Sequence, residues 1–219
     1  MTHTLTPLVD TKHDLSVSHE IDLTDSSECC ICRQCNEDDS TQLIQCTQCS
    51  ILVHAQCYGA PLINIITTDN WCCDACHDRQ SQLSSSTSSE SIECCLCSAA
   101  NNNNRTGALK RTTDWRWCHI SCALWIPECF YRLPDLRDTI DILQIPQRRY
   151  NNQCCICNIQ QGCTVQCSTG TCDNSFHITC GMNENTYLDY KQSNNANIPD
   201  TIVSLCNIHS KKYKNKKKR

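Results

Sequence analysis

The sequence predicts small metal-stabilised domains, mostly irregular, with short β-hairpins and short helices. Three observations carry that reading. The 219 residues include 24 cysteines but only 2 Phe and 4 Trp. The apolar side chains therefore cannot close one large core, and cross-links must hold the chain. Many cysteines come in Cys-x-x-Cys pairs, a spacing that lets two ligands reach one ion through a tight turn. Finally, His takes one place in four such pairs, as in His54-Ala-Gln-Cys57. A disulfide framework has no need of histidine, whereas a metal site does.

Residues 1–28 carry six acids and one lysine and contain no apolar run of seven or more. No secretory signal or membrane span is expected there. Thiols would then stay reduced, which favours metal over disulfides, and the acidic segment is read as disordered. The net charge is −4, yet seven of the nineteen basic residues crowd into Lys211–Arg219. The tail 210–219 is read as basic and unstructured.

The ligand register starts from Cys46-Thr-Gln-Cys49 and the following His54-Ala-Gln-Cys57. These pairs lie too close together to fold onto one ion, so each needs a partner elsewhere. Cys29-x-x-Cys32 and Cys73-x-x-Cys76 supply the partners in an interleaved cross-brace. Cys29, Cys32, His54 and Cys57 form one site, and Cys46, Cys49, Cys73 and Cys76 form the second, within a unit spanning 29–80. The pattern Cys-Cys-x-Cys recurs at Cys29, Cys94 and Cys154. The repeat favours the first and fourth residues as ligands over the rival frame Cys32-x-x-Cys35.

A second unit, 94–125, offers Cys94, Cys97, His119 and Cys122. A third, 154–209, offers Cys154, Cys157, His177 and Cys180 for one ion, and Cys167, Cys172, Cys206 and His209 for another. Twenty Cys and His ligands in tetrahedral sets imply five zinc ions. Sites with four protein ligands have no open position, so they are structural. No His-x-Asp or His-x-Glu pair is present, and no enzyme activity is expected. The remaining eight cysteines, Cys30, Cys35, Cys72, Cys95, Cys118, Cys129, Cys155 and Cys163, are read as small buried hydrophobes. A Ser-rich linker, 81–93, and a connector, 126–153, separate the units. The linker is expected to let the first unit fold independently.

Cys46-x-x-Cys49 through His54-x-x-Cys57-Tyr58-Gly59, with Trp71-x-Cys73-x-x-Cys76, resembles a PHD finger. Gly107-Ala-Leu-Lys with Arg116-Trp117-x-His119-x-x-Cys122-Ala-Leu-Trp125 resembles the zinc knuckle that follows some PHD fingers. Gln166-Cys167 through Ser175-Phe176-His177-x-x-Cys180 and Cys206-Asn-Ile-His209 resembles an extended PHD finger. Together they resemble the PHD–knuckle–PHD cassette of JMJD-type histone lysine demethylases and bromodomain-PHD scaffold proteins. His54 as fifth ligand and Trp71 before the last pair favour PHD over the RING cross-brace of ubiquitin ligases. A ubiquitin-ligase adaptor, a protein scaffold and a non-catalytic part of a demethylase stand as rival readings.

The resemblance implies a nuclear chromatin reader whose partners are a histone tail, that of histone three, and chromatin-complex proteins. The residues suggest where the tail would lie. Gln42–Gln45 reads as a short strand whose edge can accept a peptide, and the acids Glu37, Asp38 and Asp39 precede it. Leu43, Ile44 and Gln45 join those acids as expected contacts. Thr47 stands where many such fingers have Asp. No aromatic residue occurs from Glu28 to Cys57, so unmethylated lysine is the expected guest. Arg105, Lys110, Arg111, Arg148, Arg149 and the basic tail are the expected contacts to DNA. No membrane partner is expected.

Overall fold

The computed structural model describes residues 28–34, 42–59, 70–83, 92–97, 107–133, 137–191 and 201–217. The segment 1–27, Cys35, Glu37, Asp38, Asp39 and Arg105 lie outside these residues. Among the described residues the strands form five separate two-stranded antiparallel sheets. Short helices follow them, as the predicted fold class requires.

The first unit pairs β1 (Leu43–Gln45) with β2 (Leu52–His54), Ile44 facing Val53. Helix α1 (Ala55–Tyr58) follows at once and is stopped by Gly59, whose φ of 81° ends the helix in a left-handed turn. Helix α2 (Asp74–Leu83) starts just after Cys73 and carries Cys76 of the last ligand pair. It runs through Ser81–Leu83, the first three residues of the predicted linker. Trp71 packs edge-on against the Tyr58 ring, with centroids 4.9 Å apart, and so caps the core between the two sites.

The knuckle is the hairpin β3 (Leu109–Arg111) and β4 (Trp117–His119), followed by α3 (Ile120–Leu124). The predicted connector is structured. It forms the hairpin β5 (Phe130–Tyr131) and β6 (Ile140–Asp141), then α4 (Arg148–Asn151). Ile126, Ile140, Ile142 and Ile145 are buried in the shared core, which accounts for its order. The last unit contains β7 (Val165–Gln166), β8 (Ser175–Phe176), α5 (Ile178–Asn183), β9 (Leu188–Lys191), β10 (Thr201–Ser204) and α6 (Asn207–Lys217). Helix α6 corrects the expectation of an unstructured tail. Ser210 is buried and bonds the Leu205 carbonyl and the Tyr187 amide, both at 2.8 Å, while Tyr213 stacks on Tyr187.

Each unit is docked on the next. Lys110 of β3 is buried, with Nζ 2.8 Å from Asp74 of α2 and 4.2 Å above the Tyr58 ring. Arg111 reaches Asp78 at 2.9 Å and lies 4.3 Å from the Trp117 ring. Arg137 donates to the Cys57 carbonyl at 3.1 Å. On the other side, Arg149 of the connector grips Glu128 of the connector through two bonds of 2.8 and 3.0 Å, and its carbonyl accepts from the amide and hydroxyl of Thr164 at 2.9 and 3.0 Å. The Cys163 amide donates to the Leu96 carbonyl at 2.9 Å, and α3 packs on α5. A Cβ on Gly162 would lie 3.1 Å from the Cys97 backbone, so only glycine permits this approach. Ion pairs and the Arg137–Cys57 bond thus hold the first unit against the knuckle and the connector.

Candidate metal centres and peptide-binding edge

The metal geometry begins in the local turns. Arg33, Ser50 and Asn158 each follow a Cys-x-x-Cys pair and take φ values of 60°, 60° and 59°. Their amides donate back to the carbonyls of Cys29, Cys46 and Cys154 at 2.8, 2.9 and 2.8 Å. This left-handed turn aims both sulfurs to one side. It costs a non-glycine residue about 1–2 kcal/mol, which metal binding outweighs.

All twenty predicted ligands come together in five groups of four, and within each group the ligand atoms lie within 4.8 Å of one another. Zn–S near 2.3 Å and Zn–N near 2.1 Å at tetrahedral angles require separations of about 3.8 Å for S–S and about 3.6 Å for N–S. The observed distances fit. His54 Nδ1 lies 3.2 and 3.7 Å from the sulfurs of Cys32 and Cys57, and Cys49 lies 3.7 Å from Cys73. In the knuckle, His119 Nδ1 is 3.4 and 3.8 Å from Cys97 and Cys122. His177 Nδ1 is 3.4 and 3.6 Å from Cys157 and Cys180. His209 Nδ1 is 3.5 and 3.3 Å from Cys167 and Cys206, with Cys172 3.9 Å from Cys206. Each of the four ligand histidines presents Nδ1, leaving Nε2 to carry the proton.

A second device repeats at all five sites. The first cysteine accepts a backbone N–H from a ligand of the opposing pair. His54 donates to Cys29 at 3.2 Å, His119 to Cys94 at 3.2 Å and His177 to Cys154 at 3.4 Å. Cys73 donates to Cys46 and Cys206 to Cys167, both at 3.4 Å. Such donors offset thiolate charge and hold the ligand in place. Four-ligand sites of this kind leave no coordination position for a substrate, so when bound the zinc supplies folding energy.

The spare cysteines divide. Cys118 and Cys163 are fully buried; Cys30, Cys72, Cys95 and Cys129 are half-buried. Cys155 is exposed, contrary to the expectation that it packs like a small hydrophobe. Burial pushes the Cys163 thiol up to about 12 and Cys129 upward as well, which makes both poor nucleophiles.

Of the expected peptide contacts, Leu43, Ile44 and Gln45 form β1 as predicted. Ile44 is buried and Leu43 half-buried, so only Gln45 has an exposed side chain. Among the described residues β1 pairs with β2 alone, which leaves its other edge without a strand. Of the expected DNA contacts, Lys110, Arg111 and Arg149 are engaged within the protein. Lys110 and Arg111 join the knuckle to the first finger, and Arg149 is paired with Glu128 inside the connector. Arg148 is exposed. Sequence reasoning missed the acidic halves of these clasps, Asp74, Asp78 and Glu128. The spacing of Asp74 and Asp78, one helical turn apart, was the available signal.

Comparison with known proteins agrees with this architecture. Residues 92–209 match the family described as PHD-zinc-finger like domain, and residues 40–77 match PHD-finger. The human bromodomain and PHD finger-containing protein 3 is 30% identical over 189 residues, covering 83% of this chain and 14% of that protein. Mouse lysine-specific demethylase 4B is 35% identical over 148 residues, covering 66% of this chain and 12% of that protein. The chain thus spans about one seventh or less of the length of these relatives. The crystal structure of zebrafish PHF14-PZP superposes with a TM-score of 0.62 at 27% identity, covering 86% of this chain and 91% of that one. With its interleaved Cys/His pairs and matching hairpins, the chain belongs to the PHD-type zinc-finger family and carries the finger–knuckle–finger cassette.

Proposed function

We propose that this chain is a nuclear, zinc-stabilised chromatin reader that binds the tail of histone three and has no catalytic activity of its own. The observation that carries the reading is the edge of β1 that has no partner strand among the described residues, on a finger held by two four-ligand sites. An extended peptide can add there as a third strand through main-chain hydrogen bonds. The relatives named above, a bromodomain protein and a lysine demethylase, support a chromatin setting. Partner proteins of a chromatin complex and an auxiliary contact to DNA belong to the same reading. The exposed lysines of α6 support the DNA contact better than the clasped residues of the knuckle.

The preferred guest is an unmethylated lysine at the fourth position of the tail. A trimethyl-ammonium needs two or more aromatic faces, and around β1 the nearby rings are taken. Tyr58 is buried, and Trp71 stacks on it. Glu37, Asp38 and Asp39 offer carboxylates instead, and each methyl added to lysine removes a donor. Exposed contacts of this kind contribute about 0.2–1 kcal/mol each. Calorimetry with unmodified and trimethylated tail peptides tests the reading. The unmodified peptide should bind up to roughly tenfold more tightly, and the Asp38→Ala, Asp39→Ala double variant should narrow the gap. Tighter binding of the trimethylated peptide, or indifference to the double substitution, would refute the assignment.

A further inference from the structure

The C-terminal lysines do not all face the same way. Helix α6 starts between two ligands of the fifth metal group, Cys206 and His209, so its first turn is part of that site. Residues three and four apart share a helix face. One face, Ser210, Tyr213 and Lys214, turns inward, while Lys217 beyond it is exposed. Ser210 is buried, Lys214 donates to the Asn185 carbonyl at 2.6 Å and Lys217 lies 5.5 Å from the Tyr213 ring. The other face, Ile208, Lys211, Lys212, Asn215 and Lys216, is exposed. Lys212 stands about one helical turn, or roughly 6 Å, from Lys216, and Lys211 about 7.5 Å from it.

We infer that the fifth metal site sets this outward lysine face as a contact for the phosphate backbone of duplex DNA, so that DNA affinity depends on metal at that site. The inference rests on the DNA contact proposed above and adds its surface and its control. Metal at Cys167, Cys172, Cys206 and His209 fixes the first turn of the helix. Ser210 and Tyr213 then orient the remainder against Tyr187. Without that anchor an isolated helix of this length is marginal in water, and the lysines lose their common face. Duplex DNA suits the patch because phosphates line both strands, with about one charge per 1.7 Å of axis. A side with lysines and no acid matches that array without needing base contacts.

The test uses the full zinc-loaded chain and a fluorescent 20-base-pair duplex, read by anisotropy over a salt series. Lys211→Ala, Lys212→Ala, Lys216→Ala together should lower the salt slope by about 2.7, since each phosphate contact contributes about 0.9. Lys214→Ala should leave it nearly unchanged. Lys214→Pro breaks the helix beyond the metal ligands and should weaken binding far more than Lys214→Ala, although both remove one charge. His209→Ala should do the same, with amide signals of 207–217 collapsing in NMR spectra. If the native chain does not bind the duplex, the DNA contact itself fails. If it binds but inner and outer substitutions act alike, the lysines act only as a charged tail and the inference falls. It falls equally if Lys214→Pro matches Lys214→Ala, or if His209→Ala keeps native affinity.

Discussion

Cys46→Ser is expected to unfold the first finger and to disturb the knuckle, while leaving the second finger folded. Loss of one ligand removes most of the energy of a structural zinc site, about 10–16 kcal/mol when intact. A small domain rarely holds more than about 5–15 kcal/mol in total, so residues 42–83 cannot remain folded. The effect then spreads by a defined route. Lys110 loses Asp74 and the Tyr58 ring, and Arg111 loses Asp78. A buried ammonium stripped of its partner must be resolvated. Amide signals at Gly107–Arg111 should therefore shift, whereas those of 163–209 should persist. That last unit is held by its own two metal groups and by the Thr164 amide bond to the Arg149 carbonyl of the connector. Unchanged signals at 107–111 would mean that the ion pairs do not couple the units. Lys110→Ala provides the control, because it should give the same local shifts with the first finger still folded.

Gly181→Ala is expected to be the most damaging single-methyl change in the second finger. A Cβ there would lie 2.6 Å from Phe176 Cε2 and 2.7 Å from Thr186 Oγ1. Such separations do not occur, so something must move. Phe176 is fully buried and Gly181 is itself buried in α5 next to the ligand Cys180, so neither side can give without displacing a metal ligand. Overpacking of this kind costs about 1–3 kcal/mol or more, and for a unit of this size that is roughly 5–20 °C in Tm. Gly170→Ala is the matched control, since nothing lies within 4 Å of its Cβ position. Thermal unfolding should show a large drop for the first variant and almost none for the second. Equal Tm values would contradict the packing described around Phe176.

The metal frame was legible because ligand spacing is a local property. Cys-x-x-Cys with an interleaved partner pair can close in few ways, and the threefold Cys-Cys-x-Cys repeat fixed which cysteine of each run binds. The short strand at Leu43–Gln45 was legible for the same reason. The docking of the units was not. Lys110 and Asp74 lie 36 positions apart, in two different units, and such a pair leaves no periodic trace. Composition misled in two places. Lys110, Arg111 and Arg149 resembled a DNA surface because a basic residue looks the same in sequence whether it faces water or a carboxylate. The lysine-rich tail resembled a solvated terminus because its helix depends on Ser210 and Tyr213, two residues that a charge count passes over. The Ser-rich stretch concealed its first three residues, which complete the helix begun at Asp74.

The account stands on twenty ligands forming five closed zinc sites. Native mass spectrometry of the intact chain counts them directly, and chelation followed by circular dichroism checks that they hold the fold. Five zinc ions per chain are expected, with loss of structure as metal is withdrawn. Three or fewer zinc ions in a folded chain, or a fold that survives complete removal of metal, would contradict it.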